Sequence, residues 1–197
     1  QNGFDIVCIL GRQSAHQVPD FVRYVDYNSN TVLYELATAK IWIFHNQSQQ
    51  MYFRGIRKKK KQILIQTWHG SLGIKTIGTV ASTHYNNRWG LYLAEKTSGN
   101  TDFWISNSTW ETEIFQKSFP IVKEVLLYGH PRNDILIKQG AHVSETIKAE
   151  FNIKEKKVLL YAPSYRDEEK IDCFDINKDL LIKAMEERFG GEWVIMY

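Results

Sequence analysis

The chain has 197 residues, of which 43% are apolar, 24% charged and 13% aromatic, a globular composition that excludes a disordered or collagen-like polypeptide. With 25 basic against 22 acidic side chains, the net charge of +3 is too small a surplus to argue for nucleic acid. The two cysteines, Cys8 and Cys173, are distant in sequence and suit a reducing compartment better than a disulfide scaffold. No apolar run approaches the length of a membrane-crossing helix. Gln1 stands where an initiator methionine would, and no basic-flanked leader precedes the first apolar run, so the expectation is a piece of a longer protein.

In chain order, the first apolar, β-branched run is Phe4–Leu10. A stripe of Val32, Leu33, Leu36 and Ala37 then predicts a helix, with Asn30 as its cap. Strands follow at Lys40–Phe44, Gln62–Thr67 and Asp102–Ser106. Ser108-Thr-Trp-Glu111 reads as a capping box opening a helix that carries Ile114 and Phe115. Another strand is expected at Glu124–Tyr128. The composition changes across Gln139–Lys157, after which strands are expected at Lys157–Tyr161 and Glu192–Tyr197. Between them Leu180, Leu181, Ala184, Met185 and Phe189 mark a helix ended by Gly190-Gly191. The runs are continuous rather than alternating, as in strands buried on both faces. Strand and helix in alternation predict an α/β fold with a largely parallel sheet. The expected organisation is a first domain over 1–139, then a linker and the opening of a second α/β domain over 140–197.

Open α/β sheets hold ligands beyond the carboxyl ends of their strands, which directs attention to four loops. Thr67-Trp68-His69-Gly70-Ser71-Leu72-Gly73-Ile74-Lys75 places an imidazole, two glycines and a cation there. His69 can take a hydroxyl proton, while Gly70 and Lys75 can neutralise phosphate charge. A core histidine beside Trp68 is an equal reading of the same residues. In Tyr128-Gly129-His130-Pro131-Arg132-Asn133-Asp134, Pro131 fits the first turn of a helix and Arg132 suits phosphate. The spacing alone favours a structural turn in which Arg132 and Asp134 pair with each other or with backbone. Tyr161-Ala-Pro-Ser164-Tyr-Arg166-Asp167 offers a hydroxyl, a ring and a guanidinium, or an ordinary exposed turn. Ser106-Asn107-Ser108 is read foremost as a cap.

The only dense charge run, Arg54 to Lys61 with Arg57, Lys58, Lys59, Lys60 and Lys61, can attract a polyanion or an acidic membrane surface. More often such a run is a solvated loop guarding the apolar strand behind it. His16, His45, His84 and His142 lack metal-ligand spacing. There is no P-loop, no GxGxxG after a strand and no GxSxG. No metal and no cofactor are therefore expected.

Taken together, the loops resemble one known family. Gln66–Lys75 resembles the W-H-G…K signature of the CDP-glycerol:poly(glycerophosphate) glycerophosphotransferases, the teichoic acid polymerases and primases. Tyr128–Asp134 resembles their G-x-P-R-N-D element, and Leu160–Asp167 their Y-A-P-T-[WY]-R-D element. Ala37–Ile43 and Asp102–Ser108 match in the same order. The resemblance implies a GT-B-like architecture, a Rossmann-like parallel sheet domain on the acceptor side and the start of a donor-side domain. It implies transfer of glycerol phosphate, or a related alditol phosphate, from a CDP-linked donor to a hydroxyl of a teichoic-acid-like or capsular polymer. CMP leaves.

Within that resemblance His69 matches the catalytic histidine, a general base on the acceptor hydroxyl. Arg166 matches a donor-side arginine, with Gly70, Lys75, Arg132 and Ser164 as further phosphate or donor contacts. The implied partners are CDP-glycerol or another CDP-alditol, a polyol-phosphate polymer and an anionic membrane surface. The implied location is the cytoplasmic membrane face, and nucleic acid is not expected. The family's second functional histidine follows a strand like Glu192–Tyr197, and neither His130 nor His142 matches it. Ser71-Leu72-Gly73 departs from the commoner Thr-Pro-Leu. Two other readings stand beside this one: a GT-B glycosyltransferase using a nucleotide sugar, and a non-catalytic module binding a polyanion or membrane.

Overall fold

Short β-branched and aromatic runs become strands, and among the described residues all the paired strands are parallel. The computed structural model describes residues 3–46, 55–70, 76–81, 87–153, 155–162 and 176–197. The chain falls into two units, Gln1–Arg132 and Asn133–Tyr197.

In the first unit β1 (Val7–Leu10) pairs with β2 (Arg23–Asp26), and α1 (Thr31–Thr38) follows. A four-stranded sheet then runs in the order β3 (Ile41–Phe44), β4 (Ile63–Gln66), β5 (Phe103–Ile105), β6 (Glu124–Leu126). Parallel neighbours need crossovers. α2 (Arg88–Asn100) supplies the one between β4 and β5, and α3 (Thr109–Ser118) the one between β5 and β6.

β2 is not among the strands expected from sequence, because Arg23 and Asp26 break its apolar pattern. Arg23 is nevertheless matched inside the fold. Its guanidinium donates to Asp5 at 2.8 Å and to Glu35 of α1 at 2.9 Å, holding both carboxyls below the usual range. Asn30 does not cap α1. It already has helical dihedrals, and its side chain accepts no capping bond. The last carbonyls of α1 are satisfied from elsewhere. Trp42 Nε1 donates to Leu36 O at 3.0 Å, Gln62 Nε2 to Leu36 O and Ala39 O, and Lys59 Nζ to Ala37 O. A cation at this end also suits the helix dipole.

Among the described residues two apolar clusters hold the unit together. Val25, Val32, Leu36, Trp42 and Leu64 join β2, α1, β3 and β4, with Val7 and Ile9 of β1 packed on them. Trp68, Trp104, Phe115 and Phe119 form the other, beneath the carboxyl half of the sheet. Fully burying an aromatic such as Phe115 stabilises by about 2–3 kcal/mol. Gly78 sits against this second cluster with φ +57°, and a Cβ there would run into the Ser118 carbonyl oxygen, so only glycine fits without a shift.

In the second unit α4 (Asp134–Lys138) and α5 (Gly140–Glu150) precede β7 (Lys157–Leu160). α6 (Lys178–Phe189) then leads to β8 (Trp193–Met196), parallel to β7. Asn177 caps α6 by accepting from Leu180 N at 3.1 Å, and Gly190 ends it at φ +65°, as the glycine pair predicts. Among this unit's described residues only Ile153 is buried.

Candidate active site at the carboxyl edge of the sheet

The turn after β4 is built by the strand itself. Gln66, buried on the core side, accepts from Trp68 N at 2.9 Å through Oε1 and donates to Asn46 O at 2.9 Å through Nε2. This grip holds Trp68 in the left-handed region, φ +56°, which a bulky residue adopts only under constraint. The Trp68 ring is driven inward, edge-on to Phe115 and Phe119 with centroids 6.2 and 5.6 Å away. The next residue, His69, is thereby turned outward.

His69 is exposed, and its ring stacks on Trp68 at 4.6 Å with an interplanar angle of 26°. Of the two sequence readings, the core histidine is not what the structure shows. Nδ1 lies 3.0 Å from His45 O. A carbonyl only accepts, so Nδ1 carries the hydrogen in this bond, and the neutral ring has its lone pair on Nε2. That tautomer is the one a general base on a hydroxyl requires. His45 also borders a cavity of about 490 Å³ between β1 and β3, whose walls include Ile9, Trp42 and Phe44.

The loop after β6 closes on the same turn. Gly129, at φ +80°, donates its N–H to Ser106 O at 2.9 Å. His130 is buried, with Nε2 3.1 and 3.2 Å from the two Glu111 oxygens. Arg132 Nη2 donates to Trp68 O at 2.7 Å and makes a longer contact of 3.4 Å to Thr67 O. Asp134 pairs with Lys138 at 2.6 Å. The backbone-bonded turn favoured by the spacing is therefore what Arg132 makes, although its partner is the β4 loop. The helix opening at Asp134 has five residues, too short to present an anion site. Ser108 caps α3, accepting from Glu111 N at 3.1 Å. The return bond from Glu111 goes to Asn107 N at 2.7 Å rather than to Ser108. Glu111 is thus both cap and partner of His130, a pairing across 19 residues that no local pattern announces.

Gly70, half-buried, follows His69. Lys75, Ser164 and Arg166 lie outside the described residues, so the structure brings together only His69, Gly70 and Arg132. The basic run enters at the opposite, amino edge. There Lys58 donates to Asp102 at 2.7 Å and to Gln62 O at 2.8 Å, and Lys59 closes α1. Arg57, Lys60 and Lys61 are exposed. Burial pushes the Asp102 carboxyl up, but hydrogen bonds from Lys58, Leu64 N–H and Lys123 outweigh it and hold the group below its ordinary value.

The parallel α/β architecture is that of the GT-B-like folds, on the strength of its match to a solved structure. The wall teichoic acid polymerase TagF shares it: one solved structure matches with a TM-score of 0.69 and 26% identity, over 98% of this chain and 48% of that one. The sequence profile of the CDP-Glycerol:Poly(glycerophosphate) glycerophosphotransferase family matches residues 1–197, and the chain belongs to that family. It is 28% identical over 193 residues to a teichoic acid glycerol-phosphate transferase of Staphylococcus aureus (strain NCTC 8325 / PS 47), covering 92% of this chain and 47% of that protein. To the teichoic acid poly(glycerol phosphate) polymerase of Bacillus subtilis (strain 168) it is 27% identical over 182 residues, 89% of this chain and 24% of the relative. The chain thus spans about half or less of the length of these relatives.

Proposed function

We propose that the protein carrying this chain transfers glycerol phosphate, or a related alditol phosphate, from a CDP-linked donor to a terminal hydroxyl of a polyol-phosphate polymer. In the step itself the acceptor hydroxyl gives its proton to His69 Nε2. Its oxygen attacks the phosphorus that bears the alditol, the bond from that phosphorus to the CMP oxygen breaks, and CMP departs with the electron pair. Phosphoryl transfer needs positioning and charge neutralisation more than covalent chemistry.

The observation that carries this reading is the Nδ1–His45 bond, which leaves Nε2 as the ring's basic atom on an exposed face in a chain of this family. Gly70, Lys75, Ser164 and Arg166 would contact the donor phosphates. Arg132, bonded to two carbonyls of the His69 turn, acts first by positioning. Residues 1–139 take the acceptor-side role and 140–197 begin the donor side. Among the described residues no helix is long and apolar enough to cross a membrane. The exposed Arg57, Lys60 and Lys61 support peripheral attachment to the anionic cytoplasmic face.

The test is a donor panel on the full-length protein with a short polyol-phosphate acceptor. CMP release and acceptor lengthening with CDP-glycerol are expected. Consumption of a UDP- or GDP-sugar with CDP-glycerol untouched would replace this reading with a nucleotide-sugar glycosyltransferase.

A further inference from the structure

The amino edge of the sheet carries a second concavity that the chemistry at His69 does not use. About 470 Å³ in volume, it is bordered by Arg57 and Lys58 on the approach to β4 and by Trp89, Tyr92, Lys96 and Asn100 of α2. This is within the size range of sites that enclose small ligands. Trp89 and Tyr92 stand one turn apart on the helix and stack with centroids 5.5 Å apart at 24°. Their exposures are 61% and 45%, and neither ring joins an apolar cluster among the described residues. One turn further along, Lys96 Nζ lies 5.4 Å from the Tyr92 ring centre. The platform is fixed from beneath. Gly90, Leu93, Ala94 and Thr97 of the same helix are buried, and Asn87 caps it by accepting from Gly90 N at 2.7 Å.

Among the described residues the lining contains cations and rings but no carboxylate. The nearest acid on the adjoining strand end, Asp102, is already bridged by Lys58 and Lys123 at 2.7 and 3.2 Å. Cations beside a flat aromatic pair suit a ligand that alternates anionic groups with short C–H-rich segments. We propose that this cavity binds a segment of the polyol-phosphate chain already made, with phosphodiesters at Arg57 and Lys96 and polyol faces on the Trp89–Tyr92 pair. The proposal rests on the reading of the active site given above, and deepens it by placing the chain behind its growing end. The concave shape favours a flexible single chain over a membrane plane or a rigid duplex. β4 has four residues, and at about 3.3 Å each it alone separates this rim from His69 by about 13 Å. A chain of several repeats reaches both places, and a single unit does not.

The experiment compares full-length wild-type protein with a Trp89→Ala, Tyr92→Ala double variant. Binding of long poly(glycerol phosphate) is measured without CDP-glycerol, so that it is read even if the transferase assignment fails. Affinity for the long chain should fall about tenfold or more, the scale of losing an aromatic stacking platform, and Lys96→Gln should reduce its salt dependence. In turnover assays KM for the long acceptor should rise by a similar factor, with kcat and all constants for a single-unit acceptor unchanged. Trp89→Phe, which keeps a ring, should restore most of the binding and guards against a folding defect. Unchanged long-chain affinity would overturn the proposal, as would equal losses for short and long acceptors. So would loss of binding to anionic-lipid vesicles or duplex DNA with polymer binding intact.

Discussion

The two edges of the four-stranded sheet use polar side chains differently. At the carboxyl edge Gln66, Glu111 and Arg132 bond mainly to backbone groups of neighbouring loops, and the result is one residue, Trp68, held in a disfavoured conformation. At the amino edge Asp102 pairs with both Lys58 and Lys123, the backbone bonds of the group reach only the adjoining strand β4 and its start at Gln62, and the backbone around them is ordinary. Bonds that constrain a loop make a site, whereas ion pairs that neutralise each other tie strand ends together. The Glu111–His130 pair at the carboxyl edge is also drier than the carboxylate at the amino edge: both of its side chains are 1% exposed, against 24% for Asp102.

Mutations should separate the edges, beginning with that buried pair. Glu111→Ala leaves His130 and the Asn107 N–H without their partner in the core. A loss of about 3 kcal/mol is expected, read as a lowered thermal midpoint, and an unchanged midpoint would equate the two edges. His69→Ala should leave that midpoint in place, since the ring is exposed, while the proposed transfer by the full-length protein should slow about a hundredfold. Near-normal turnover would remove the imidazole from the chemistry. Arg132→Ala should lower kcat about tenfold, close to 1.4 kcal/mol, with KM for the donor little changed. A large rise in donor KM would instead make Arg132 a phosphate contact.

The smallest effect belongs to the amino edge. Asp102→Asn should cost about 1 kcal/mol or less, because the group is partly solvated and its pairs are screened. Its carboxyl is held below the ordinary value of about 4. The stability it contributes is therefore complete above that pH and is lost as pH falls through the lower folded value. The variant should show a flatter decline in acid than the wild type, measured by denaturant unfolding from neutral pH down to about pH 2. An identical decline would mean that Asp102 contributes nothing.

The sequence made some of this visible and concealed the rest for identifiable reasons. The apolar runs at Lys40–Phe44, Gln62–Thr67 and Lys157–Tyr161 become β3, β4 and β7 because β-branched residues favour extended backbone, but the expected burial on both faces is not found: in these strands only Trp42, Leu64 and Gln66 are buried. β2 was hidden because Arg23 finds its partners in Asp5 and Glu35, 18 and 12 residues away. α2 escaped notice because its buried face uses Gly90, Ala94, Thr97 and Ser98 rather than a stripe of large side chains. His69 was readable as a residue at a strand end, but its orientation depends on Gln66, which looks like any polar strand residue. Glu111 was readable as a cap, and its second role depends on a histidine 19 positions on. Local spacing reports helices and turns, while the geometry of the site comes from pairings that fold topology alone brings about.

One consequence follows from the indole that lies between Phe119 and the imidazole. Its inner edge meets packed aromatics and its outer surface carries the His69 ring. A shortened side chain at Phe119, with no reach to any substrate, should let that indole sag and swing the basic nitrogen off its line. Changes to the hydrocarbon interior would then register as altered reaction rates before they register as unfolding.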